Sequence, residues 1–484
     1  MKTRNLVSAL VLVLLTVSMV QGVQVSGAST LSPFAKGIDF PAYTANGYLT
    51  SDSDASLKLL AATGANWVGL QVEWIMPTAT STIIAPSGTV TPSDASLIHA
   101  ISLAHSLGMK AELRLVTQMG DGSNKKQIAP SNWNAWFQSY TTFMVYYGKL
   151  GQANGVDMIM LGGELDPSVF YVSNWLSVIS AVRQVYSGLL SYGASHSACI
   201  SSQKPVCQDG FREVTWWGAL DIAAVDAYFL ISSAPDSSVN QMVAGCVSWE
   251  HWIADLMNWE GSINKPVIFT EIGYGSYKGS PMNPAAEPVV TNPIVDLQEQ
   301  NNAYQAALSS LYGQPWLKGM FWWQWDLNPN SGGSNDYSYT PQNKPAQQTL
   351  TTWDSMNWDT APPPTSTLLT ANPLPVCYTS ISSPKLYLSR TSPKTITVYV
   401  ELPPGYNPAN IALSSVKING TVLAIAEGTI ADFNNDYISD TSFVFSRQAL
   451  QALIGSSTGT KVLVITGYVG SVRFGGTVTI NVYS

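Results

Sequence analysis

The chain is short of charge. Asp, Glu, Lys and Arg make up 11% of its 484 residues, against roughly 25% in ordinary soluble proteins. What charge there is leans acidic, with 23 basic and 31 acidic side chains and a formal net charge of -8. No Lys/Arg cluster offers a surface to phosphate backbones, which argues against a nucleic-acid partner. His99, His105, His196 and His251 form no HExxH, and Cys199, Cys207, Cys246 and Cys377 lack zinc-finger spacing. No metal or other cofactor is therefore expected in catalysis. Gly162-Gly163 has no third glycine at phosphate-loop spacing, which argues against a dinucleotide fold. Beyond the N-terminal segment no apolar run is long enough to span a bilayer.

Hydrophobic residues reach 45%, enough for a large core, and the length exceeds that of one ordinary domain. Polarity comes mainly from Ser, Thr, Asn and Gln, accompanied by 16 Trp. That mixture suits an uncharged polyhydroxyl ligand, and equally a generic extracellular surface, because indole faces stack on sugars and also fill cores. Residues 1–29 read as an export signal: Lys2 and Arg4 start it, Leu6 to Val20 form the apolar run, and small residues Ser26 to Ser29 follow. A secreted or extracellular location is expected, with an uncleaved membrane anchor as the alternative. Four cysteines in an exported chain suggest disulfides. Cys199–Cys207 with Cys246–Cys377 is one pairing, and the other two connectivities stay open. Asn419 in "NGT" is a glycosylation acceptor if the host modifies exported proteins.

Over residues 30–354 short apolar strands alternate with helical patterns. The strands read as Gly37–Phe40, Trp67–Val72, Lys110–Leu115, Val156–Gly162, Leu189–Ala194, Ile222–Asp226, Val267–Thr270 and Gly319–Trp323. The helical stretches include Ala55–Ala62, Ser93–Leu107, Trp133–Leu150, Trp175–Tyr186, Val239–Trp259 and Leu297–Leu311. This alternation predicts an α/β fold, a (β/α)8 TIM barrel. Residues 355–382 lose periodicity, and "APPPTSTLLTANPLP" reads as a stiff linker. From 383 to 484 the pattern turns to strict alternation with turn signals, a small all-β, sandwich-like domain. Inside it, Asp432, Asn434, Asp436 and Asp440 stand at oxygen-ligand spacing. That loop reads as a structural calcium site or as a solvated polar turn.

In such a barrel the reactive groups sit at the C-terminal strand ends. "MIMLGGELD" ends the fourth strand with Glu164, and "VIFTEIGY" ends the seventh with Glu271. A carboxylate where an apolar strand opens into a mouth is costly unless something uses or satisfies it. One such Glu is as readily a structural ion pair, but two on one face point to function. Glycoside hydrolysis needs such a pair, one to protonate the leaving oxygen and one to attack the anomeric carbon or activate water. The acid should lie in a drier or more negative place, and its partner should accept hydrogen bonds. Tyr228, just past Asp226, is placed to supply one. Trp323 and Trp325 share one face of strand eight at period two, and one of them would floor a sugar subsite, with Trp322 packing on the other face. Trp74, Glu73 and Asp39 are weaker candidates for the mouth; Glu73 would bind a hydroxyl or buttress Arg114.

The ordered series "SLKLLAATGANWVGLQVEW", "TPSDASLIHAISLAHSLGMKAEL", "GVDMIMLGGELD", "LDIAAVDAYF", "KPVIFTEIGY" and "MFWWQW" resembles glycoside hydrolase family 113 over about residues 36–354. The resemblance implies a retaining β-glycosidase acting on β-1,4-mannan, with Glu164 as acid/base and Glu271 as nucleophile. Departures surround that pair. Gly163 stands where a Thr is usual, Leu115-Val116 where Pro-His is common, and Ser195-His196 where Asn-Trp is expected. The implied specificity shell is therefore altered, and His196 reads either as a sugar contact or as part of the loop carrying Cys199. The expected partner is a β-glycan, with the C-terminal domain attaching to polysaccharide or a cell surface, or merely stabilising. Two rival readings use the same residues: a transglycosylase, and a catalytically dead glycan-binding protein.

Overall fold

The computed structural model describes residues 31–197, 210–244, 247–286, 292–361, 374–375, 378–403, 406–434 and 438–484. The segment read as an export signal, all four cysteines and Asp436 lie outside them. Among the described residues no helix is long and apolar enough to cross a membrane.

Eight parallel strands form the first sheet: β1 (Ala35–Asp39), β2 (Trp67–Met76), β3 (Lys110–Met119), β4 (Met158–Gly163), β5 (Leu189–Ser195), β6 (Ala223–Asp226), β7 (Val267–Ile272) and β8 (Leu317–Trp322). They pair in sequence order, and β1 pairs with both β2 and β8, which closes the barrel. A two-residue strand, Ala85–Pro86, adds antiparallel to the end of β2.

Side-chain alternation explains how each strand serves two environments. In β2, Val68, Leu70, Val72 and Trp74 join the core between barrel and helices. Trp67 faces inward, into a second apolar cluster with Ala35, Met158, Ala224, Ile268 and Phe321. That inner cluster draws on six of the strands and fills the barrel at the depth of Trp67. It also explains Gly37, since a Cβ there would meet the Phe321 ring at 2.3 Å. Towards the C-terminal ends the interior turns polar: Asp39, Glu112, Arg114 and Asp226 are all buried.

The helices are α1 (Ser51–Ala62), α2 (Asp94–Ser106), α3 (Trp133–Asn154), α4 (Val172–Arg183), α5 (Gly210–Glu213), α6 (Val239–Val243), α7 (Trp249–Ile263), α8 (Leu297–Leu311) and α9 (Pro345–Asp354). Side-chain oxygens of Thr50, Ser93, Asn132 and Asp296 cap the first turns of α1, α2, α3 and α8. The stretch read as one helix over 239–259 is two, because Ala244 and Ser248 adopt extended backbone between α6 and α7. Aromatics at helical spacing on α3 (Phe137, Tyr140, Phe143 and Tyr147) pack on the barrel's outer face.

The C-terminal strands are β9 (Leu374–Pro375), β10 (Tyr378–Ile381), β11 (Lys385–Tyr387), β12 (Thr395–Glu401), β13 (Lys417–Ile418), β14 (Val422–Ala431), β15 (Asp440–Ser446), β16 (Gly459–Val469) and β17 (Val472–Tyr483), with helix α10 (Arg447–Ile454) between β15 and β16. All nine strands belong to one open, curled sheet. Strand β14 pairs with β13 at its start and with β15 beyond, through two register shifts. Bulges of this kind bend a strand, and the two halves enclose a single core that includes Val398, Phe443, Ile465 and Phe474. That is the sandwich-like arrangement expected, built from one sheet. Strands β9 and β10 fall within the stretch read as linker, and β10 pairs with β12. In the loop considered for calcium, Asp440 Oδ2 accepts from the Phe433 amide at 2.7 Å and Asn434 Nδ2 donates to Glu401 Oε2 at 3.1 Å.

Candidate active site

The two strand-end glutamates are set by different local devices. β4 ends in Gly162 and Gly163, and Gly162 has φ +112, where a Cβ would lie 2.1 Å from the Tyr140 hydroxyl. Only glycine fits that close approach. Glu164 follows with φ 56, a left-handed conformation that costs a non-glycine residue about 1 kcal/mol or more and that concentrates at functional sites. Its amide donates to Gly193 O at 2.8 Å, which pins the kinked segment to β5. Glu271 lies inside β7 beside Asp226 of β6, with 13% of its side chain exposed.

Both Glu271 oxygens are held. The Tyr228 hydroxyl donates to Oε2 at 2.6 Å, and Arg114 Nη2 donates to Oε1. Arg114 is fully buried, bonds the Thr270 carbonyl through Nη1, and lies 3.3 Å from Asp39 and 3.9 Å from Glu112. Gly69 makes room for this cluster, because a Cβ there would meet Asp39 Oδ1 at 2.1 Å. Burial pushes the carboxyls of Asp39 and Glu112 upward, Glu112 to about 7, against the pull of Arg114. Asp226 accepts from Thr270 Oγ1 at 2.7 Å. Burial, then the charges of Glu271 and Glu164, raise its carboxyl well above the usual range. Asp226 thus stands within electrostatic reach of both glutamates.

Glu164 is largely buried, as expected of the acid, but its charged neighbours are cationic rather than negative. Lys126 Nζ lies 2.7 Å from Oε1 and Lys125 Nζ 3.4 Å from Oε2. Both lysines belong to a single turn of 3-10 helix, Lys125–Gln127, in the loop between β3 and α3. Burial pushes the Glu164 carboxyl up, but the two ammonium groups outweigh it and hold it at about 2. Nearby, Asp166 accepts from Ser195 Oγ at 2.7 Å, and burial lifts it to about 6. Burial takes His196 down to about 3, a neutral ring lying edge-on to Tyr228 at 6.3 Å.

The remaining sequence candidates divide. Trp323 is half-buried at the mouth, with the Arg114 guanidinium 5.9 Å from its ring centroid. Trp325 is buried and donates to Ser56 Oγ at 3.0 Å, so it packs under the helices. β8 stops at Trp322, and period two therefore does not carry through to Trp325. Trp322 stacks on Tyr304 at 4.0 Å on the outer face, as its parity implied. Trp74 shares the outward parity of Val72 and stacks on Phe143 at 4.7 Å, away from the mouth. Glu73 does face inward, but its Oε1 accepts from Gln71 Nε2 at 2.6 Å, while Arg114 pairs with Asp39, Glu112 and Glu271. Sequence reasoning missed the Lys125–Lys126 pair and Tyr43, a half-exposed ring whose hydroxyl donates to Gln324 Oε1 at 3.1 Å. The link from Arg114 to Glu271 was legible in part: an arginine at inward parity in a strand requires buried acidic partners.

A fixed carboxylate on one strand and a second at another strand's end on the same barrel mouth, with aromatic rings at the rim, are the parts needed to act on a sugar acetal. Residues 39–344 match Glycoside Hydrolase Family 113. The chain is similar in structure to the GH113 β-mannanase AaManA from Alicyclobacillus acidocaldarius, solved in complex with ManMIm. That likeness has 26% identity and a TM-score of 0.57, over 66% of this chain and 97% of that one. Two further solved structures, both of GH113 β-1,4-mannanases and one a complex, share its fold. They are 22% and 23% identical, each with a TM-score of 0.58 over 66% of this chain and 98% of theirs. No curated protein matches the chain.

Proposed function

This chain belongs to glycoside hydrolase family 113, and from that membership we propose that it is a secreted, retaining hydrolase of β-linked polysaccharide, β-1,4-mannan in type. In this reading Glu271 attacks the anomeric carbon while Glu164 gives a proton to the departing glycosidic oxygen. The carbon–oxygen bond breaks and a glycosyl ester of Glu271 forms. Glu164 then takes a proton from water, whose oxygen displaces Glu271 from the same carbon. The observation that carries the proposal is the clamp on Glu271: one oxygen held by Tyr228 and the other by Arg114. Fixing both leaves the carboxylate a single orientation, which is what an attacking group needs.

The mannan backbone is supported by the likeness to the Alicyclobacillus β-mannanase, and export by the pattern of residues 1–29. Attachment to polysaccharide or a cell surface through the C-terminal sheet is a separable proposal. Co-sedimentation of a Glu271→Gln protein with insoluble mannan, lost when that sheet is altered, would support it.

The test of the hydrolase reading is Glu271→Gln measured on mannan, glucan, xylan and chitosan oligosaccharides. Loss of cleavage by several orders of magnitude is expected on whichever substrate the wild type cuts. Activity near wild type sinks the assignment. The first-formed product, followed by NMR, should keep the β configuration; an α product overturns retention.

A further inference from the structure

Lys125 and Lys126 are the only two adjacent basic residues in a chain with 23 Lys and Arg, and both reach the same carboxylate. Their side chains are 22% and 28% exposed and that of Glu164 12%, so a ligand entering the mouth meets all three. Glu73, Glu271, Asp226 and Asp166 also face this pair electrostatically, which sets the two ammonium groups within the acidic mouth.

We infer that Lys125 and Lys126 form an anion-recognition site beside the bond to be cleaved, and that the preferred substrate carries a carboxylate there, as a β-linked hexuronate does, on the leaving sugar. The inference rests on the role proposed for Glu164. A general acid must hold a proton, and a carboxylate paired with two ammonium groups does not at neutral pH. The lysines must therefore leave Glu164 before it works. A sugar hydroxyl competes poorly for an ammonium against a carboxylate, since a charge-assisted hydrogen bond is roughly twice as strong as a neutral one. A carboxylate on the substrate competes on equal terms. It draws the lysines away, burial then favours the neutral form of Glu164, and the group takes a proton from solvent that it passes to the departing oxygen. The leaving side is chosen because the acid acts on the glycosidic oxygen that departs with that sugar.

The test uses the full-length protein with β-1,4-mannan and β-1,4-glucan. Each is offered as the neutral polymer and with part of its C6 groups oxidised to carboxylate. On the backbone it cleaves, the wild type should show kcat/KM at least tenfold higher for the oxidised form. K125M/K126M should bring that ratio near one, losing rate on the oxidised polymer and gaining on the neutral one, while K125R/K126R keeps the preference. A wild-type ratio of one or less, or a ratio that K125M/K126M leaves in place, overturns the lysine site and leaves the hydrolase reading standing. If neither backbone is cleaved, the mannan-type substrate reading fails. Binding of neutral and oxidised oligosaccharides to the Glu271→Gln protein then decides the lysine site. Tenfold tighter binding of the oxidised form, abolished by K125M/K126M, sustains it, and equal binding overturns it.

Discussion

The Tyr228 hydroxyl donates to Glu271 Oε2 at 2.6 Å, while the Arg114 guanidinium holds Oε1 of the same carboxylate. One donor stands just past β6 and the other on β3, so the position of this carboxylate depends on strands from two sides of the barrel.

Tyr228→Phe removes one of the two clamps and keeps the ring. A hydrogen bond to a charged group contributes about 1.5–3 kcal/mol, so kcat/KM should fall roughly 10- to 100-fold. The loss should lie mainly in kcat, with melting temperature changed by a few degrees at most. A large rise in KM with kcat unchanged would mean that Tyr228 serves binding alone.

Lys126→Met should move the pH profile on neutral substrate. Burial raises the Glu164 carboxyl, and Lys126 followed by Lys125 brings it down to about 2. The proposed acid works in its protonated form, so activity on neutral substrate falls as pH rises through that carboxyl's titration. With Lys126 gone, burial is less opposed and the carboxyl titrates higher. The basic limb of kcat/KM should shift upward by about a unit or more. A limb that stays in place or moves down contradicts this.

Glu112→Gln should change how stability responds to pH. Burial raises the Glu112 carboxyl from its ordinary value of 4.5 to about 7. The folded chain therefore holds a proton that the unfolded chain has released between those values, and stability falls as pH rises through that window. The contribution is on the order of 3 kcal/mol. Glutamine keeps the shape without the titration, so the variant's melting temperature should gain on the wild type from pH 4.5 to 7.5. A constant difference across that range would show that Glu112 keeps the same charge throughout.

Gly162→Ala tests the kink that aims Glu164. A methyl there would meet the Tyr140 hydroxyl at 2.1 Å on a backbone with φ +112. The strain should cost about 1–3 kcal/mol of stability. A shift of Glu164 by about an ångström should cost on the order of 100-fold in kcat. Wild-type rates in this variant would show that the mouth absorbs the methyl without moving the carboxylate.

The barrel was legible because its signals are local. Alternation in "WVGLQVEW" separates inward Gly69, Gln71 and Glu73 from outward Val68, Leu70 and Val72, and helical spacing on α3 names its buried face. The same parity, carried one step further, sends Trp74 to α3, where it stacks on Phe143. Trp325 escaped the rule because β8 ends three residues earlier, and alternation holds only within a strand. The β14 strand, exposed along much of one face and broken by bulges, carries little periodic signal.

Local periodicity and strand-end position, properties of neighbouring residues along one chain, determined the barrel and singled out the two glutamates, while the ordered series of motifs carried the resemblance to the family. Closure of the sheet and the path of one loop decided the rest: Arg114 and Tyr228 meeting on Glu271, and Lys125 and Lys126 meeting on Glu164. Those pairings join residues up to 157 positions apart. Their energies depend on distance and burial in the folded chain, quantities that no run of neighbouring residues contains.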